Sequence, residues 1–232
     1  MKKNKDKTLT SSEKLAARTE GFFSRNYRLL AIIGVIIVLI CIVAAVLTVV
    51  GGNNREAKAD AVFALEQHYN SLLLLDPASA DYTSASTQLV SDAEAILAQS
   101  SADEYAALKA NYILGLYYFD EENWADAQAA FEAVAENGSG TYLGSLALAN
   151  AAASAENNGD PDTALAYYNR IWDDYGTQAP ESPKALFNAA RIYESQGDAE
   201  LAAATYHQLA DEFVSSEYAQ LASSRLLVLE NN

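Results

Sequence analysis

The chain has 232 residues, half of them hydrophobic, which is enough for one modest packed core and an anchoring segment. It holds 31 acidic and 15 basic residues, a formal net charge of −16, and such a balance excludes nucleic acid and anionic lipid surfaces as partners of its acidic part. With one cysteine no disulfide can staple the fold, so helix packing must hold it together.

Charge is unevenly spread along the chain. Residues 1–28 carry eight basic side chains against three acidic ones, a balance of +5, whereas everything beyond residue 50 holds seven basic and 28 acidic residues, a balance of −21. Between them, 29–50 is a run of 22 residues without charge, side-chain amide or proline. As a helix it would span roughly 33 Å, enough for a hydrocarbon core of about 30 Å. The sequence therefore predicts a basic cytoplasmic tail (1–28), a transmembrane helix (29–50) and an acidic domain on the far side, since basic flanks stay inside. A cleaved signal peptide would need a shorter apolar core and a small-residue cleavage site, but this run ends in Val49-Val50-Gly51-Gly52. Cys41 lies within it behind the bulky Ile40, where a lipid-attachment signal would want a small residue, and reads as a cysteine packed in lipid.

From residue 55 onward alanine is abundant, prolines are few and apolar residues recur at three- and four-residue steps, the period of helices rather than strands. The predicted fold class is all-α. Two helices, 55–75 and 84–99, are expected to form a first hairpin domain (55–100) around Asp76-Pro77. Within 103–232 one pattern recurs three times. The first copy has Leu114, Gly115 and Tyr118, the turn Glu122-Asn123-Trp124, then Ala127, Phe131 and Val134. The second has Leu148, Ala151, Ala152 and Ala155, the turn Gly159-Asp160-Pro161, then Ala164, Tyr168 and Ile171. The third has Leu186, Ala189, Ala190 and Tyr193, the turn Gly197-Asp198-Ala199, then Ala202, Tyr206 and Leu209.

Small residues (Gly115, Ala152, Ala190) are predicted where two antiparallel helices approach, with Ala127, Ala164 and Ala202 facing them. Phe131, Tyr168 and Tyr206 stand one helical turn further on and should fill the space toward the next hairpin. Gly159 and Gly197 suit a positive φ at a helix end, and Asp160 and Asp198 suit the next N-cap. A closing helix is expected over 217–229, with a polar outer face.

Little in the chain points to catalysis. His68 and His207 have no second ligand at a metal-binding step, no phosphate-cradling glycine loop occurs, and Asn157–Asp162 lacks the closing glutamate of a calcium loop. The expectation is a protein without cofactor or metal, and no enzyme.

The recurring small, turn, small, aromatic pattern resembles the tetratricopeptide repeat, matched in the first copy at Leu114, Gly115, Tyr118, Ala127 and Phe131, with Asn111 where that family has tryptophan. The resemblance implies an α-solenoid of helical hairpins behind the membrane helix, whose first helices line a concave face. By the same mapping Lys109, Tyr112, Leu116, Phe119, Asn150, Ala153, Lys184, Phe187 and Arg191 would line it, a groove for a peptide or helix. The layout of tail, single span and exported repeats resembles the bacterial ancillary subunit of the Sec translocon. That resemblance implies an inner-membrane protein with translocon subunits, chaperones or exported chains as partners. The segments Asp174-Tyr175-Gly176-Thr177 and Phe213-Val214-Ser215-Ser216 are also similar to repeats of bacterial envelope proteins, which implies instead a scaffold for envelope assembly or cell division.

Overall fold

The computed structural model describes residues 26, 36, 37, 39–42, 51, 52 and 54–230, in two compact units, 1–57 and 58–232. The expected tail and most of the expected span, 29–50, lie outside the described residues. In the first unit the described residues are helical, and Ile36, Ile37, Leu39, Ile40 and Ile42 are exposed. Among the described residues no helix is long and apolar enough to cross a membrane.

The second unit is all-α. Its helices are α1 (described over 54–72, with 58–72 in this unit), α2 (Ala80–Ala98), α3 (Tyr105–Asp120), α4 (Trp124–Asn137), α5 (Tyr142–Asn157), α6 (Pro161–Tyr175), α7 (Ser182–Ser195), α8 (Ala199–Glu212) and α9 (Glu217–Leu229). From α2 onward each helix packs on its neighbours in the chain. The second helix begins four residues before the expected 84, because the Ser79 hydroxyl accepts the Tyr82 N–H at 3.1 Å and caps it there. The closing helix occupies the expected segment.

The layers differ in how they are buried. In α4, α6 and α8 the buried side chains form one stripe at helical spacing, Ala127-Phe131-Val134, Ala164-Tyr168-Ile171 and Ala202-Tyr206-Leu209. Helices α3 and α7 instead serve two cores each. Ala110, Ile113 and Leu114 of α3 join the α1–α2 cluster (Leu65, Leu89, Ala93), while Leu108 joins the central one. Ala189 and Ile192 of α7 face that central cluster, and Leu186 and Ala190 face the last (Tyr206, Ala222, Leu226). Shared helices make the stack continuous, which is why no hairpin here could bury its faces alone.

The turns repeat. Gly159 and Gly197 have φ of 78° and 82°, and Glu122 holds the same place in the first copy with φ of 57°. In each turn the next N–H closes back on the helix end: Asn123 to the Tyr118 carbonyl, Asp160 to Ala155 and Asp198 to Tyr193, at 2.8–2.9 Å. Asp160 and Asp198 then cap α6 and α8, accepting the Thr163 and Leu201 N–H groups at 3.1 Å, whereas Asn123 makes no side-chain cap. Between α6 and α7 the longer connection folds into a turn of 3-10 helix, Gly176–Gln178, pinned by the Ser182 hydroxyl donating to the Gly176 carbonyl at 2.6 Å.

Candidate functional site: the first-helix face

First helices pack directly on one another at α3–α5 and α7–α9, whereas among the described residues no pair of second helices (α4, α6, α8) packs to a comparable extent. At those two steps the first-helix layer is the more closely packed of the two, whereas α5 and α7 do not pack to that extent.

Two parts of the first-helix face gather side chains. The first lies across α3 and α5. The Tyr112 hydroxyl accepts a hydrogen bond from Asn150 Nδ2 at 3.0 Å, its ring packs edge-on against Phe131 at 5.6 Å, and Lys109 Nζ lies 5.8 Å from its ring centre. Burial pushes the Tyr112 phenol above the usual tyrosine range, and the Asn150 bond and the Lys109 charge partly offset this. Tyr105 and Tyr142, 55 % and 65 % exposed, extend this aromatic strip to the helix starts.

The second part lies across α7, α8 and α9, where Phe187, Arg191, Glu194, Ser195, Tyr206 and Arg225 line an open hollow of 470 Å³. Phe187 packs against Tyr206 at 5.7 Å and Tyr218 at 5.8 Å. Arg225 Nε donates to Glu194 at 3.2 Å, and the Tyr206 hydroxyl donates to the same carboxylate at 3.3 Å.

This last arrangement occurs twice. The Tyr168 hydroxyl donates to Glu156 at 2.9 Å, and Arg191 pairs with Glu156 from the next first helix. A tyrosine of a second helix, a glutamate ending the first helix of its own hairpin and an arginine of the following first helix thus form a repeated link. The Tyr168 and Tyr206 phenols are both raised, by burial first and the glutamate second. The first copy has Phe131 and Phe119 at the matching places, and there Phe119 packs on Trp124 at 4.9 Å instead.

The residues expected on the concave face therefore have different surroundings. Lys109, Tyr112 and Asn150 come together, but Lys109 is also held at 2.6 Å by Glu66 of α1. Leu116, Phe119 and Ala153 are half-buried, the first two packed on the central core. Lys184 is exposed, Phe187 is half-buried, and Arg191 is exposed but paired. Sequence reasoning missed Glu156, Glu194 and Arg225. The signal for the two glutamates was the 12-residue step from Glu156 to Tyr168, repeated from Glu194 to Tyr206. His68 and His207 each pair with a surface carboxylate, Asp92 at 2.7 Å and Glu230 at 3.1 Å, and among the described residues no group of His, Cys, Asp and Glu could hold a metal ion.

The layers also differ in charge. First helices α3, α5, α7 and α9 carry four basic residues (Lys109, Lys184, Arg191, Arg225) and four acidic ones. Second helices α4, α6 and α8 carry nine acidic residues and only Arg170 as a cation.

No curated protein matches the chain. Two family models, each described as tetratricopeptide repeat, match residues 112–179 and 155–224. These spans cover α4–α8, the three recurring turns, the whole Tyr168–Glu156–Arg191 link and the Tyr206–Glu194 pair of the second. Residues 112–224 thus match the tetratricopeptide repeat, and such repeats suggest a module for binding other proteins or peptides.

Proposed function

We propose that this chain is a membrane-anchored, non-catalytic capture protein. In this reading 29–50 spans the bacterial inner membrane, 1–28 stays in the cytoplasm, and the repeats meet newly exported polypeptides beside the Sec translocon. The observation that carries it is the 22-residue uncharged run dividing a segment of +5 from one of −21. The anchor fixes location and raises the effective concentration of the repeats near the pore, so weak contacts on the first-helix face suffice. Exposed tyrosines with amide and basic groups nearby supply the large, rigid, amphipathic contact surface that such binding uses.

Photo-crosslinking in native membranes tests this reading, with a photo-reactive residue at Tyr142 or Lys184, both exposed on first helices. Adducts with translocon subunits or many exported chains support it. One dominant envelope protein would favour the scaffold role instead, and no adducts at Tyr142 or Lys184 would overturn the choice of face.

A further inference from the structure

We propose that the hollow between Arg191 and Arg225 receives a partner segment that sets a carboxylate beside an aromatic or aliphatic side chain. The inference rests on the protein-binding reading and names the ligand chemistry of that face.

The lining supplies both halves of such a segment. Phe187 and Tyr206 form an apolar floor, and Leu221, on the exposed side of α9 one helical turn before Arg225, is 49 % exposed. Arg191 and Arg225 flank the floor with side chains 46 % and 44 % exposed. A guanidinium presents five N–H donors in a planar fork. Arg225 spends Nε and Nη2 on Glu194, and Arg191 spends Nη2 on Glu156, so each keeps donors for a second carboxylate. The two glutamates hold the forks in place, and Tyr168 and Tyr206 hold the glutamates.

Charge across the molecule makes this site selective. A basic segment is drawn to the second-helix layer, with nine acidic residues to one basic, at no particular place. An acidic segment is repelled there and, among the described residues of the repeats, meets two neighbouring arginine forks on the first-helix face, so the wrong site is disfavoured as well as the right one favoured. Long-range repulsion from a domain of −21 is screened over about 10 Å at 0.1 M salt, whereas contacts at hydrogen-bond distance are screened much less. Binding of the acidic segment therefore strengthens as salt rises through the low range, the opposite of a basic one.

The test uses the full chain in nanodiscs of zwitterionic lipid and a displayed library of random twelve-residue peptides. Enriched peptides should pair Asp or Glu with Phe, Tyr, Trp, Leu or Ile. Their affinity should fall about tenfold in Arg225→Gln and Arg191→Gln, as expected for a lost charge-assisted hydrogen bond, and should rise between low and moderate salt. Should Arg225→Gln fail to fold with Glu194 left unpaired, Arg225→Lys retains the charge without the fork and should still weaken binding. Enriched peptides that are basic or neutral, bind equally to the arginine variants and are lost in Tyr142→Ala would overturn this proposal and leave the protein-binding face intact. Enrichment no better than on empty nanodiscs would overturn both.

Discussion

A Cβ placed on Gly115 would stand 2.6 Å from Cε1 of Phe131, inside the ring's van der Waals surface. The small residue of α3 is therefore matched to the aromatic ring of α4, which is fully buried and has no direction in which to yield. Gly115→Ala should destabilise the fold by about 1–3 kcal/mol through overpacking, although alanine is the better helix former by about 1 kcal/mol. Denaturant unfolding of Gly115→Ala and of Gly115→Ala/Phe131→Leu measures this, and the double variant should recover part of the loss.

Glu122 adopts a left-handed backbone at the place where the other two turns use glycine. A side chain there costs roughly 1–2 kcal/mol, while glycine adds entropy to the unfolded chain. Glu122→Gly should accordingly raise stability by about 0.5–1 kcal/mol, whereas Gly159→Ala and Gly197→Ala should lower it. Melting temperatures of the three variants give the signs directly.

Caps hold α6 and α8 at their starts. Removing the Asp198 side chain, which accepts the Leu201 N–H, should cost about 1 kcal/mol in Asp198→Ala, read as a shift in urea midpoint. At Asp160, hydrogen bonds from the Thr163 side chain and backbone N–H hold the carboxyl below its ordinary value. A depressed folded-state value means that the charged cap stabilises the protein above the unfolded value, about 3.9, and that this contribution is lost as pH falls through the lower folded value. The native chain should melt above Asp160→Asn at pH 6, and the gap should close on approach to pH 2. A gap that persisted at pH 2 would show that the carboxylate charge is not its source.

The tyrosine–glutamate–arginine links join hairpin to hairpin. Tyr168→Phe removes a 2.9 Å bond to Glu156 from a buried ring and should cost about 0.5–1.5 kcal/mol, more than Tyr206→Phe with its 3.3 Å bond. A double-mutant cycle between Tyr168→Phe and Arg191→Gln should show coupling, because both partners meet one carboxylate. Additivity would mean that the link is solvated in solution.

Much of this was legible in the chain. Helical periodicity marks the helices, and the recurring small residues, turns and aromatics mark the hairpins, because each such position has one local steric reason: Gly159 and Gly197 for a positive φ, Asp160 and Asp198 for an N-cap, Phe131 and Tyr206 for the space between hairpins. The uncharged run between segments of opposite charge is likewise a property of sequence alone.

Tertiary structure alone decided what stands across from what. The nearest side chain to Gly115 is the Phe131 ring, a contact that the chain did not single out, because helix crossing fixes which side chain fills a gap. Lys109 and Arg191 read as open groove residues in the sequence, yet each is held by a glutamate from another helix, Glu66 and Glu156. Those partners lie 43 and 35 residues away in the chain. Periodicity reports which side of its own helix a residue occupies, whereas a charge pair between helices depends on how far each is translated and rotated against its neighbour, and packing of the whole stack sets that.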